Sequence, residues 1–259
     1  MRTRMLRYGP SDGAKALSRA LNVRMLSLRG SKFRPRPGDT ILNWGSHHYP
    51  DGNPAWQMTG WINSPRAVGW ARDKIGTFRL LGQRGAEVGG PVPTVDWTTD
   101  GNVAREWNKE HTVIARLTTT GQGGAGIVVL PPLSEWIEAP LYTKLFRARH
   151  EYRVHAVRGE GMIDVQKKRR RSDGAGRSLV RNLENGYVYC RGGVVAPEAV
   201  VVVSVAAIDA LGLDFGAVDV LCTEAGVARV LEVNTAPGLE GSTVAKYAEA
   251  LNRLITLEN

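Results

Sequence analysis

Val218-Asp219-Val220-Leu221-Cys222-Thr223-Glu224-Ala225-Gly226-Val227-Ala228-Arg229-Val230-Leu231-Glu232-Val233-Asn234 reads as two short strands joined by a tight turn. With Ala225-Gly226 as a two-residue turn, Glu224 faces Val227, and counting outward sets Asp219 opposite Glu232. Directly opposed residues share a sheet face, and Asn234, two residues on, shares it as well. Two carboxylates and an amide then converge on one patch. Like charges in opposition destabilise a sheet, so the arrangement asks for a compensating cation. An all-oxygen donor set suits magnesium or manganese. A polar sheet face of solvated carboxylates is the bland alternative.

Working outward, Ser242 is placed to cap a last helix that carries Val244, Ala248, Leu251 and Ile255 at helical spacing. Pro197 to Leu211 has helical length and an N-terminal proline, against the β-branched run Val200 to Val203, and is read as helix. From Glu151 to Val157 the period is two, with Tyr152, Val154 and Ala156 on a core face and Glu151, Arg153 and His155 on a polar one. Val113–Ala115 and Ile127–Leu130 read as a hairpin around the Gly-rich tip Gly121 to Gly126. Ser64 and Pro65 start a helix whose stripe is Val68, Ala71, Ile75 and Phe78, with Lys74 on its flank. At the N-terminus, Met5–Tyr8 and Thr40–Trp44 read as strands, and Ser11 or Asp12 caps a helix between them.

The bulk numbers restrict the class of protein. A chain of 259 residues with 42% hydrophobic content builds a substantial core without staples. Its two cysteines, Cys190 and Cys222, lack metal-ligand spacing and argue against a disulfide framework. No apolar run reaches membrane-spanning length, and the basic N-terminus has no apolar stretch after it, so a cytoplasmic location without a membrane partner is expected. The formal charge of +9 attracts anions, and the densest basic run is Lys167-Lys168-Arg169-Arg170-Arg171. With Tyr187 and Tyr189 nearby for stacking, that run keeps a nucleic-acid-binding protein open as a rival reading.

Taken in order, these residues resemble the ATP-grasp superfamily. Leu213 through Glu249, with Asp219 and the core Leu-Glu-Val-Asn-Thr-Ala-Pro-Gly-Leu, is similar to the C-terminal metal-binding signature of those ligases. Asn63-Ser64-Pro65-Arg66-Ala67 through Asp73-Lys74, and Pro91-Val92-Pro93-Thr94, resemble the helix and strand that open the central lobe. Val113-Ile114-Ala115-Arg116 and the following glycines resemble the second cationic position and the phosphate-covering loop, with arginine where many relatives carry lysine. Tyr142-Thr143-Lys144-Leu145-Phe146 resembles the adenine-holding linker, and Glu151-Tyr152-Arg153-Val154 the strand after it. The resemblance spans roughly residues 60 to 255 in one consistent order, far more specific than any single motif.

The resemblance implies an α/β (α+β) ATP-grasp fold: a small N-terminal α/β lobe over 1–62, a central lobe over 63–142 with the phosphate loop, and a C-terminal lobe over 143–259 with the metal site. It implies ATP and Mg2+ (or Mn2+) as cofactors. Asp219, Glu232 and Asn234 would hold the metal, while Lys74, Arg116 and the loop glycines Gly123, Gly124 and Gly126 would grip the phosphates. Backbone of Lys144, Leu145 and Phe146 would hold adenine, Glu151 the ribose, and Arg153 and Asn182 would steady the reacting group. The activity implied is an ATP-dependent carboxylate–amine ligase working through an acyl phosphate. Val180-Arg181-Asn182 and Glu151 to His155 are closest to the glutamate ligases that act on protein termini, so an amino acid, peptide or protein terminus is the expected substrate. Nucleic acid is disfavoured as a partner, and nucleotide binding without turnover is the third reading.

Overall fold

The computed structural model describes residues 2–50, 54–84, 90–120, 124–172 and 179–258. Three sheets follow one another along the chain. The first is wholly parallel, in the order β2-β1-β3-β4, from β1 (Thr3–Arg7), β2 (Arg24–Ser27), β3 (Thr40–Trp44) and β4 (Gly60–Ile62). Helix α1 (Asp12–Ala20) links its first two strands and is capped by Ser11, whose hydroxyl accepts from the Ala14 amide. β2 is short and half exposed, and no sequence signal announced it.

The second sheet is antiparallel, in the order β5-β8-β6-β7, from β5 (Trp97–Thr98), β6 (Val113–Arg116), β7 (Ile127–Leu130) and β8 (Leu141–Lys144), with α4 (Gly101–Asn108) packed on it. The third, also antiparallel, is β11-β10-β9-β12-β13, from β9 (His150–Val157), β10 (Gly161–Arg170), β11 (Tyr187–Cys190), β12 (Phe215–Cys222) and β13 (Ala228–Asn234). Tyr152, Val154, Val218, Val220 and Val230 face α5 (Glu198–Ala210) in the largest core cluster. The β-branched run Val200–Val203 is helical because α5 has this apolar sheet to bury against, which outweighs local propensity.

The segment read as one helix from Ser64 is two, α2 (Pro65–Arg72) and α3 (Lys74–Arg84). Asp73 breaks them with extended backbone (ψ 115°), and its carboxylate then accepts from the Gly76 amide at 3.1 Å, starting α3 as a cap. Both helices share the core of the third sheet through Val68, Ala71 and Leu81. Pro93-Thr94 makes a single bridge to Val230 on β13, not a strand of the middle sheet. Ser242, expected as a cap, is the first residue of α6 (Ser242–Glu258).

The first sheet is fastened to the third by α6 and by an aromatic group. Trp44 stacks on Phe215 at 5.3 Å between ring centroids and meets Tyr247 of α6 edge-on at 5.8 Å. Asn63, fully buried in the left-handed region (φ 62°), ties the end of β4 to the start of β12. Its side-chain oxygen accepts from the amides of Asp214 and Phe215, while its amide nitrogen donates to the Phe215 carbonyl.

Candidate active site

The polar face of the third sheet forms the floor of a cleft of about 2050 Å³. Register sets its residues in rows. Gln166, Arg153, Asp219 and Glu232 lie side by side on β10, β9, β12 and β13, and the next row places Ala217 between His155 and Asn234. Asp219 and Glu232 are directly paired, as expected, but not through the expected turn. Thr223 and Val227 close a three-residue loop by a 3.0 Å amide bond, with Gly226 at φ 80°, which alone would shift the register by one. A bulge between Asp219 and Val220 shifts it back by admitting Leu231 as an extra residue on β13. Val230 and Val233 therefore stay in the core, while both Leu231 and Glu232 line the cleft.

Protein cations answer the repulsion between the two carboxylates. The Arg153 guanidinium grips Asp219 with two 2.7 Å bonds, Nε to Oδ1 and Nη2 to Oδ2. Burial works to raise the Asp219 carboxyl, but the charge and hydrogen bonds of Arg153 outweigh it and hold the group below the usual range. The Tyr189 hydroxyl donates to Oδ2 at 3.2 Å, and its ring lies 4.2 Å beneath the guanidinium. Glu232 is more open: Lys74 stands 3.7 Å from it and the Asn234 amide 3.4 Å. The sequence argument for a metal from repulsion alone is thus met within the chain. Glu232 and Asn234 still offer hard oxygen donors at the cleft surface, with Asp219 enclosed behind them, and no group of three or more His, Cys, Asp or Glu with metal-binding geometry occurs among the described residues.

Lys74 and Arg116 enter the same cleft from α3 and β6. Arg116 is only 7% exposed, and its enclosed Nε has no hydrogen-bond partner among the described residues. Burial presses this guanidinium below its ordinary range, with Glu232 pulling the other way. A guanidinium left so incompletely satisfied suits an anion that arrives from outside. The Lys74 amide donates to the Thr119 carbonyl at 3.1 Å, fixing the base of the Gly-rich loop to α3. Gly123 lies outside the described residues. Gly124 (φ 88°) and Gly126 (φ 70°) take backbone conformations that glycine permits, and a Cβ on Gly124 would stand 2.9 Å from Val180 Cγ1.

At the other end of the cleft, Ile114, Leu145, Phe146 and Leu221 supply apolar walls. Of the linker amides expected to hold adenine, those of Lys144 and Leu145 are already spent at 2.9 Å on the Asp96 and Thr112 carbonyls. The Phe146 amide has no partner among the described residues. The Lys144 ammonium turns towards Asp96 and the Trp107 ring. Glu151, only 3% exposed, is ion-paired with Lys168, which also donates to the Arg181 carbonyl at 2.8 Å. Asn182 uses its side-chain oxygen to accept from the Asn185 amide at 2.9 Å, and its amide nitrogen lies beside Gly124. It shapes the arm that meets the Gly-rich loop.

Gln166 and Arg191 line the site and escaped the sequence reading, and Lys168 and Tyr189, named there only for the rival nucleic-acid reading, line it as well. The available signal was period two: on β10, Gln166, Lys168 and Arg170 face the cleft in alternation. The same alternation divides the basic run, because Lys167 points the other way, over the Tyr152 ring at 5.4 Å. Arg153 and Lys168 already pack against the Tyr189 ring, at 4.2 and 5.0 Å from its centroid.

This architecture is the ATP-grasp fold. A D-alanine–D-alanine ligase from Bacillus anthracis superposes with a TM-score of 0.64 at 14% identity, over 100% of both chains. The ATP-grasp ligase PsnB, solved with a minimal precursor, gives 0.67 at 16% identity over 100% of this chain and 99% of that one. An N5-carboxyaminoimidazole synthetase from Staphylococcus aureus complexed with ADP gives 0.67 at 10% identity, over 96% of this chain and 76% of that one. No protein-family model and no curated protein matches the sequence. Among the described residues, no helix is long and apolar enough to cross a membrane.

Proposed function

We propose that the chain is an ATP- and magnesium-dependent carboxylate–amine ligase. The observation that carries this reading is the meeting of Asp219, Glu232 and Asn234 with Lys74 and Arg116 in one cleft, hard oxygen donors beside cations suited to phosphate. ATP with its metal ion would supply a phosphoryl group that converts a carboxylate to an acyl phosphate, from which an amine displaces phosphate with loss of a proton. The chain's own part is to align the reactants and stabilise charge.

Lys74 and Arg116 offset phosphate charge from the wall of the cleft. Glu232 and Asn234 offer metal ligands at the surface, with Asp219 behind them. Arg153, already oriented by Asp219 and Tyr189, presents its remaining N–H groups to a developing oxyanion. Asn182 and Val180 seat the Gly124 backbone over the phosphates, which limits water. The apolar walls and the Phe146 amide take the base. The three lobes, 1–62, 63–142 and 143–259, would each supply one wall. The likeness to a D-alanine–D-alanine ligase and to PsnB solved with its precursor supports an amino-acid or peptide substrate.

The test is ADP formation across a panel of amino acids and peptides, with and without magnesium, in the parent and in Glu232→Gln. Magnesium-dependent turnover that Glu232→Gln abolishes is expected. If calorimetry detects no nucleotide uptake with magnesium in excess, the proposal fails. Asp219 gives both oxygens to Arg153, which favours a second reading: nucleotide binding without turnover. Saturable uptake with no ADP formed on any substrate would select it.

A further inference from the structure

Among the described residues, twelve lysine and arginine side chains line the cleft against five carboxylates. Each carboxylate already has its own cation: Glu151 with Lys168, Asp219 with Arg153, Glu224 with Arg149, Glu232 with Lys74, and Glu240 with Arg191. Arg147, Arg170 and Arg171 are exposed and have no carboxylate partner among the described residues. Arg170 and Arg171 are tied through backbone pairing to residues 186 and 187. Arg170 pairs with Tyr187 across the β10–β11 hairpin, and the Arg171 amide donates to the Gly186 carbonyl at 2.8 Å. The Gly186 amide in turn donates to Leu183. Arg181 of the same arm donates to the Ala148 carbonyl at 2.7 Å, next to Arg147. On this arm Leu179 is 56% and Leu183 66% exposed, and both line the cleft.

From this basic rim set with leucines we infer that the arm around Arg170, Arg171, Leu179 and Leu183, together with Arg147, is a docking surface for an acidic peptide segment carrying apolar side chains. Unpaired guanidinium groups recognise carboxylates through paired N–H donors, and the exposed leucines give apolar side chains a surface to bury. Charge complementarity selects the occupant. Nucleic acid fits less well, because strand alternation sends Lys167 to the far face, Glu151 holds Lys168, and Arg153 already packs against the Tyr189 ring. An acidic segment bound here would enter at the nucleotide end of the cleft. Docking at this rim goes beyond the ligase reading and stands without it, since none of these side chains belongs to the phosphate or metal set.

The experiment uses the full chain and fluorescence anisotropy of a short labelled peptide alternating glutamate and leucine. Its glutamine counterpart and an oligothymidylate serve as comparisons. The glutamate peptide is expected to bind and to weaken as salt rises, since dissolved ions shorten the reach of exposed charges to about 10 Å at moderate ionic strength. Arg170→Ala/Arg171→Ala should weaken it by about tenfold or more, and Leu183→Ser should weaken it independently. Thermal protection by magnesium and ATP, read on the same samples, should be unchanged, which separates failure of this inference from failure of the ligase reading. The inference is overturned if the glutamate peptide does not bind, if both variants bind it as the parent does, or if oligothymidylate binds more tightly and is lost in the same variants.

Discussion

Glu232 and Asp219 face the same cleft but differ as experimental handles. The Glu232 side chain is 32% exposed and its nearest cation stands 3.7 Å away, so Glu232→Gln removes the charge of the proposed metal ligand at less structural cost than a change at Asp219. It should melt within a few degrees of the parent and lose magnesium-dependent protection by ATP in a thermal scan. Asp219→Asn is a different change, because Asp219 is 2% exposed and neutralises Arg153. Leaving that guanidinium uncompensated costs about 3–5 kcal/mol, so the variant should lose stability as well as activity, and urea denaturation distinguishes the two. Arg116 shows the opposite balance. Its enclosed, partnerless Nε makes it a burden on the unliganded fold, so Arg116→Met should keep or raise the unliganded melting temperature while weakening ATP protection. A fall in unliganded stability would mean that the guanidinium supports the fold instead.

Among the elements, the joints hold the rows of the sheet that floors the cleft. Asn63 meets Asp214 and Phe215 through its side chain and holds a left-handed backbone, so Asn63→Ala should cost about 3 kcal/mol or more in chemical denaturation. Gly124→Ala meets both a positive φ and Val180 Cγ1 at 2.9 Å. A strain of about 1–2 kcal/mol is expected at such a position, and if the loop covers the nucleotide as proposed, it should appear mainly as weaker nucleotide affinity, measured by calorimetry. The α2–α3 break explains why one apolar stripe in the sequence became two helices. Val68, Ala71 and Phe78 are buried on both sides of Asp73, so the periodicity survived the break that the Asp73 cap made.

Across the whole molecule, the buried polar face of the third sheet sets the response to acid. His155 is fully buried between Tyr247 and Gln166, and burial, with Arg153 nearby, lowers its pKa from 6.5 to about 4. The unfolded chain therefore binds a proton that the folded one refuses. The resulting stability is present above about pH 6.5 and is lost as pH falls towards 4, on the order of 3 kcal/mol in all. Denaturation midpoints measured across that window should fall with pH, and His155→Gln should flatten the limb. An unaltered slope in the variant would assign the effect to the carboxylates Asp164 and Asp219, whose lowered pKa values act in the same direction at more acid pH.

Alternation and capping by themselves determined the paired strands that carry Asp219 and Glu232, the hairpin that carries Arg116, the helix over Pro197 to Leu211 and the order of parts along the chain, because these signals are local. The pairing of Asp219 with Glu232 was legible too, although a longer loop and a bulge, each invisible in the residue pattern, had to cancel for the count to hold. Only the tertiary structure decided that Arg153 belongs to Asp219, that Lys168 belongs to Glu151 and that Arg116 has a donor to spare. Those relations join residues far apart in sequence, and sheet order, which pairs β9 with β12 before β13, has no trace in the spacing of any one strand.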